Sequence, residues 1–270
     1  MKTVKKIGLG SFVRISTVLG VIFGIVAGCA WTALMHFNLP GIVPGAAAGG
    51  AVLVFVLITV IGAISGAVFA LIGGWVYNIV ASFIGGVQLD ISGSPTKINA
   101  IGVLSYAKIV AAEALIFGII GVLFTLVAPS IGGTLFSQAP LLGTWGGILL
   151  IGIPVLALVL GAIFAFVYAL LYNYFAKSIG GIVIELSSNP TIIKSIGPIS
   201  YAKIVTIIEL VIQLIIGVVV SIISFSVLLI VTQIASAVIA AVFEFIFVLI
   251  GAALYNFIAG KIGGIQIVLE

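Results

Sequence analysis

Residues 172–186 read YNYFAKSIGGIVIEL, and close variants occur at 77–91 (YNIVASFIGGVQLDI) and 255–269 (YNFIAGKIGGIQIVL). Each copy stands where a long apolar run ends and a short alternating one begins. The pairs Gly85-Gly86, Gly180-Gly181 and Gly263-Gly264 mark helix ends, because glycine is favoured just past a helix C-terminus. After them, Val87/Leu89/Ile91, Ile182/Ile184/Leu186 and Ile265/Ile267/Leu269 alternate with mostly polar residues. Period-two alternation predicts a half-buried strand. One strand alone could not satisfy its backbone near lipid. The three segments are therefore expected either to pair into a small sheet on one side of a membrane or to form extended surface tails.

A second phrase opens what the first one closes. IGLGSFVRI at 7–15, IGVLSYAKI at 101–109 and IGPISYAKI at 196–204 share Ile-Gly, a serine, and a cation three residues beyond it: Arg14, Lys108 or Lys203. Ser94-Pro95-Thr96 matches Asn189-Pro190-Thr191. Three units, 1–94, 95–189 and 190–270, tile the chain. Repetition on this scale is read before any local detail.

The solvent of this chain follows from its composition. Of 270 residues, 63% are hydrophobic and 6% charged, with a mean hydropathy of +1.52. A water-facing surface needs about 25% charged residues, so only a polytopic membrane protein fits. Each unit offers two apolar passes: a first helix over 11–36, 103–128 and 199–222, and a second over 47–84, 145–178 and 227–262. Turns are expected between them at 37–46, 129–144 and 221–226. The second helices are too long for one straight crossing, since 38 residues would reach about 57 Å against a hydrocarbon core of ~30 Å. Tilting and kinking at Gly62, Gly66 or Pro154 is one solution. The favoured one lets the Tyr-Asn stretch leave the bilayer and lie amphipathically at its interface. The fold class is thus all-α and membrane-integral: six transmembrane helices as three tandem parallel hairpins, each followed by a strand-like segment.

Two passes return each unit to the side on which it began. All ten basic residues then fall on that side: Lys2, Lys5, Lys6, Arg14, Lys97, Lys108, Lys177, Lys194, Lys203 and Lys261. The positive-inside rule makes that face, with both termini, cytoplasmic, and the expected location is the plasma membrane. The stretch Val26-Ala27-Gly28-Cys29 resembles a lipoprotein cleavage box. It belongs to the internal repeat, however, and so reads as part of the first membrane helix.

Candidate site residues are few. Glu113, Glu209 and Glu244 sit inside apolar helices, where an ionised group is costly and points to function by default. Glu113 and Glu209 lie close enough to Lys108 and Lys203 to pair with them or to reach the interface, and Gln213 is one turn beyond Glu209 on the same face. Glu244 lies eleven residues before Tyr255, about 16 Å along a helix and near the bilayer middle. Its matching positions are Gly66 and Gly161, so it belongs to one unit only; pairing inside the bundle is the expected role, and an ion or proton path the other reading. Tyr77-Asn78, Tyr172-Asn173 and Tyr255-Asn256 read as interfacial anchors, the tyrosine hydroxyls wet and the asparagines bonding freed backbone. Arg14, Lys108 and Lys203 read as headgroup or salt-bridge partners. Small residues at helical spacing, such as Gly20-x-x-x-Gly24-x-x-x-Gly28 and Gly62-x-x-x-Gly66, let helix backbones approach.

Several classes fall away. The single Cys29 excludes an internal disulfide, and the single His36 argues against a histidine metal site. No Gly-rich segment ends in Lys-Ser/Thr as phosphate binding would need, and no basic stripe with aromatics supports nucleic-acid binding. No cofactor and no catalytic constellation is expected.

Ser105-Tyr106-Ala107-Lys108 and Tyr172-Asn173-Tyr174-Phe175-Ala176 carry a resemblance to uncharacterised prokaryotic, especially archaeal, small integral membrane proteins. Their pattern is an opening Ser-x-x-Lys helix and a closing Tyr-Asn…Gly-Gly-Ile phrase. The resemblance covers all three units, with Arg14 replacing lysine in the first, and implies a hairpin domain without assigned chemistry. The three-hairpin plan of mitochondrial carriers is set aside, because their Pro-x-acid-x-x-base motif is missing: Pro198 is followed by Ile199 and Ser200. The expected function is a non-catalytic membrane scaffold or accessory subunit, with strands able to pair with a partner's edge. The alternative is a small ion, proton or solute transporter or channel using Glu244 and Glu209/Gln213. The expected partners are the lipid bilayer and either another membrane protein or a second copy of the chain.

Overall fold

The computed structural model describes residues 1–36, 48–132, 146–225 and 227–270. The turn expected at 37–46 and most of that at 129–144 lie outside them, as does the side chain of His36.

The element order is β1 (Lys2–Ile7), α1 (Leu9–His36), α2 (Ala48–Ile84), β2 (Val87–Ser92), β3 (Lys97–Ile101), α3 (Val103–Gly132), α4 (Gly146–Ile179), β4 (Ile182–Ser187), β5 (Ile192–Ile196), α5 (Pro198–Ile223), α6 (Val227–Ile262) and β6 (Ile265–Leu269). Among the described residues, six helices are long and apolar enough to cross a membrane, and the chain is a membrane protein. The α1 helix runs unbroken through Cys29, which is a free and exposed thiol.

The strands differ from the sequence reading in number and in closure. Alternation identifies one strand per unit, but a second, β1, β3 or β5, precedes each first helix. Their period is hidden because β1 carries Lys5-Lys6 in succession across a bulge between Val4 and Lys6, and β3 and β5 have only five residues each. The six strands form a closed antiparallel barrel in the order β1-β2-β3-β4-β5-β6. Among the described residues closure leaves no strand edge unpaired, unlike the free edges that the sequence reading offered to a partner.

Two kinds of strand pair alternate around the barrel. The longer ones, β2–β3, β4–β5 and β6–β1, join successive units, and each carries a bulge. The first two are connected by turns at 93–96 and 188–191. The third is closed by reciprocal backbone bonds between Thr3 and Glu270 (2.6 and 3.0 Å), with Lys5 and Glu270 in an ion pair at 3.6 Å. The shorter pairs, β1–β2, β3–β4 and β5–β6, bracket a helical hairpin and hold only two or three residue partners each.

Helices pack chiefly within hairpins: α1 on α2, α3 on α4, α5 on α6. Between hairpins, contact gathers at the barrel end. There the last turns of a second helix meet the first turns of the next unit's first helix. Val76, Tyr77, Val80 and Ala81 pack on Ile109; Tyr172 and Ala176 on Ile204 and Ile208; Tyr255, Ile258 and Ala259 on Ile15. The Tyr-Asn stretches therefore do not leave their helices to lie flat on the interface. They continue the same helix and press its end onto the barrel.

Glycine serves two needs at the Gly-Gly pairs. The first member is left-handed (φ 83°, 91° and 85° at Gly85, Gly180 and Gly263), which ends the helix. The second lies so close to a neighbouring strand that a Cβ on Gly86, Gly181 or Gly264 would overlap the carbonyl oxygen of Val4, Ile98 or Ile193. Deeper in the membrane, Gly20 and Gly24 seat against Gly62 and Thr59 with backbones touching.

These contacts give opposite expectations for two glycines four residues apart. Gly264→Ala should cost about 1–3 kcal/mol through overpacking. Gly260→Ala, whose Cβ meets nothing within 4 Å, should be neutral or stabilise by up to about 1 kcal/mol through helix propensity. Thermal unfolding of the two variants in detergent reads the difference.

Candidate functional site

Each Tyr-Asn pair replaces a strand that is not there. Past Val4, β1 leaves β2 and swings toward β6, so one edge of its backbone turns toward α2 without a strand partner. The Tyr77 hydroxyl enters this gap, donating to the Val4 carbonyl at 2.6 Å and accepting from the Val87 N–H at 3.3 Å. Asn78 supplies the next rung: its Oδ1 accepts from Ile7 N–H at 2.7 Å and its Nδ2 donates to the Ile7 carbonyl at 2.9 Å. Tyr172 bonds Ile98 and Ile182 in the same way, and Asn173 bonds both backbone groups of Ile101. Tyr255 bonds Ile193 and Ile265, and Asn256 bonds Ile196.

These tyrosines were expected to be anchors with wet hydroxyls. They are instead buried, 8%, 1% and 5% exposed for Tyr77, Tyr172 and Tyr255, with the hydroxyls committed to backbone. The physical reason is that a strand leaving its ladder beside apolar helices has no water to bond.

The serine of the opening phrase completes the join. Ser11, Ser105 and Ser200 each donate back to the glycine of Ile-Gly (2.8–2.9 Å), and each accepts an N–H of a neighbouring strand, from Gln266, Gln88 or Val183 (2.9–3.0 Å). The sequence shows this serine as a repeated letter; its bonding partner, up to 255 positions distant, is invisible there.

The cations expected at the interface lie at the barrel end. Arg14, Lys108 and Lys203 are exposed, each on the sixth residue of its helix. Arg14 stands beside Gly263 and Lys97 beside Gly180, near helix C-termini whose partial negative charge favours a cation. The remaining basic residues lie on strands or in the last turns of α4 and α6.

The membrane acids are placed differently from the sequence reading. Among the described residues the only ion pair is Lys5–Glu270. Glu113 and Glu209 do not pair with Lys108 and Lys203, which turn outward, and Glu209 makes no hydrogen bond to Gln213. All four of Glu113, Glu209, Gln213 and Glu244 are half-buried. Glu209 and Glu244 lie within electrostatic reach of each other. Their counterparts explain why. The Glu244 position is Gly66 in the first hairpin and Gly161 in the second, and the Glu209 position is Gly20 and Ala114. Gly66 sits against Gly20, and Gly161 against Ala114. The third hairpin thus carries two carboxyls where the others bring helix backbones into contact.

Two cavities lie in or beside the barrel. One, of about 380 Å³, lies inside the barrel and is lined by aliphatic side chains from all six strands, closed at the helix side by Phe12, Tyr77 and Tyr201. The other, of about 450 Å³, runs beside the barrel between α1, α2 and α3 and contains Glu113. Comparison with protein-family models, curated proteins and solved structures finds no match.

Removing the hydroxyl of Tyr172 leaves the Ile98 carbonyl and Ile182 N–H short of a partner. Tyr172→Phe should cost about 1–3 kcal/mol. Tyr77→Phe and Tyr255→Phe act on separate corners, so the triple variant should lose close to the sum. Thermal or denaturant unfolding of the single and triple variants in detergent checks both statements.

Proposed function

We propose that this chain is a non-catalytic membrane scaffold or accessory subunit, built from three tandem hairpin repeats about a pseudo-threefold axis, with its barrel in the cytoplasm. The observation that carries the reading is the lining of the barrel. Six strands contribute Val, Ile and Leu to its interior, so the axis offers no hydrated route to ions or solutes. Orientation rests on the basic residues: all ten belong to the barrel or to the helix turns touching it, as the positive-inside rule requires of a cytoplasmic face. A partner would meet the apolar helices or the polar outer face of the barrel, where Gln88, Asp90, Glu185 and Gln266 stand.

A second reading, a small ion or proton transporter, is favoured by one observation: Glu209 and Glu244 sit near one another in the membrane-spanning part of the third hairpin. Two acids within one apolar hairpin are a costly arrangement that a proton or cation path would account for.

Purified protein in proteoliposomes separates the readings. The scaffold reading expects no proton or cation flux above protein-free vesicles and a stoichiometric membrane partner on extraction. Flux that falls at least tenfold in Glu244→Gln, an effect of about 1.4 kcal/mol or more, would replace it with the transporter. For orientation, impermeant amine reagents should label Lys97 and Lys194 only from the cytoplasmic side, and labelling from opposite sides would break the repeat reading.

A further inference from the structure

The crevice between α1, α2 and α3 holds a feature that no packing role accounts for. Its wall brings together Phe12, Phe69, Tyr77 and Phe117, and among them lies one ionisable acid, Glu113. No lysine or arginine lines it. Among the described residues Glu113 has neither an ion pair nor a hydrogen bond. It stands ten residues into α3, about 15 Å from the start of that helix, and so below the barrel rim.

The other two junctions between units show that the repeat does not need this arrangement. Counting from the shared cation, the Glu113 position is Leu19 in the first unit and Ile208 in the third. Counting from the shared tyrosine, the Gly73 position is Tyr168 in the second unit and Gly251 in the third. At the second junction Tyr168 occupies the space, its ring 6.1 Å from that of Tyr106. At the first, Gly73 leaves it open: a Cβ there would meet nothing within 4 Å. An open space and a carboxylate therefore coincide at only one junction of the three.

We propose that this crevice is a binding site for a hydrophobic organic monocation, such as an amphiphilic amine or a quaternary ammonium or phosphonium ion. Charge complementarity selects the sign, since a carboxyl group without a partner in an apolar wall is stabilised in its charged form by an incoming cation and by no anion. The four aromatic side chains of the wall supply the rest, because aromatic quadrupoles favour a poorly hydrated cation over a neutral or anionic body of the same size. A volume of about 450 Å³ suits such an ion, and the exposed rings of Phe69 and Phe117 flank an entry from the lipid side. Neither Glu209 nor Glu244 lines it, so the inference stands whether or not the protein moves anything across the membrane.

The experiment is equilibrium binding of radiolabelled tetraphenylphosphonium to the purified full-length chain in neutral detergent. One saturable site per chain is expected. Glu113→Gln should weaken it by at least about tenfold, the loss of one charge contact. Gly73→Tyr, which copies the second unit, should remove it by filling the space. Triphenylphosphine oxide, a neutral body of similar size, should not compete. Absence of saturable binding, binding unchanged in Glu113→Gln, or equal competition by triphenylphosphine oxide would each overturn the proposal; the last would assign the crevice to lipid chains. Unfolding midpoints of both variants within the range of the parent exclude a folding defect as the cause.

Discussion

The structure depends on hydrogen bonds that close a barrel against a membrane. A strand that leaves its ladder beside apolar helices exposes N–H and C=O groups where water is scarce, and each unpaired group there costs several kcal/mol. The chain meets this with side chains that imitate backbone. A tyrosine hydroxyl sits between two strands as they part, and an asparagine amide bonds both groups of a single residue, as a strand partner would. Because these side chains project from α2, α4 and α6, the same bonds that complete the barrel fix where each hairpin meets it.

The division of labour along each unit follows. Near the barrel, large buried side chains hold neighbouring units together: Tyr77 with Ile109, Tyr172 with Ile204, Tyr255 with Ile15. Deeper in the membrane, hairpins hold themselves together through small residues whose backbones touch, as Gly20 does with Gly62. Lipid tails are as apolar as the helices, so burial offers little drive there and close approach must serve instead. Against this background the departures from the repeat carry most of the functional information. Glu113 stands where sister units have Leu19 and Ile208. Glu209 and Glu244 stand where they have Gly20, Ala114, Gly66 and Gly161.

Function is read from those departures and from the aliphatic interior of the barrel. An axis lined by Val, Ile and Leu favours a structural role for the whole, while the membrane acids mark places where the repeat has been altered at an energetic cost. Such costs persist where a group has a task. The third hairpin carries two of these alterations and the first junction one.

The amino-acid sequence by itself determined the solvent, the six apolar helices to within a few residues of their ends, and the alternating strands after each glycine pair, because hydropathy and period are local properties. It also displayed every residue of the Tyr-Asn and Ile-Gly-x-x-Ser phrases as repeated letters. Only the tertiary structure decided what those letters bond, since Tyr77 reaches Val4 and Ser11 reaches Gln266 across most of a unit or most of the chain. It alone closed the barrel, revealed the strands β1, β3 and β5 that short length and a bulge conceal, and set Glu209 near Glu244. Pairing between strands remote in the chain depends on register and on which helix end lies beside which strand, and neither is written in any single window of residues.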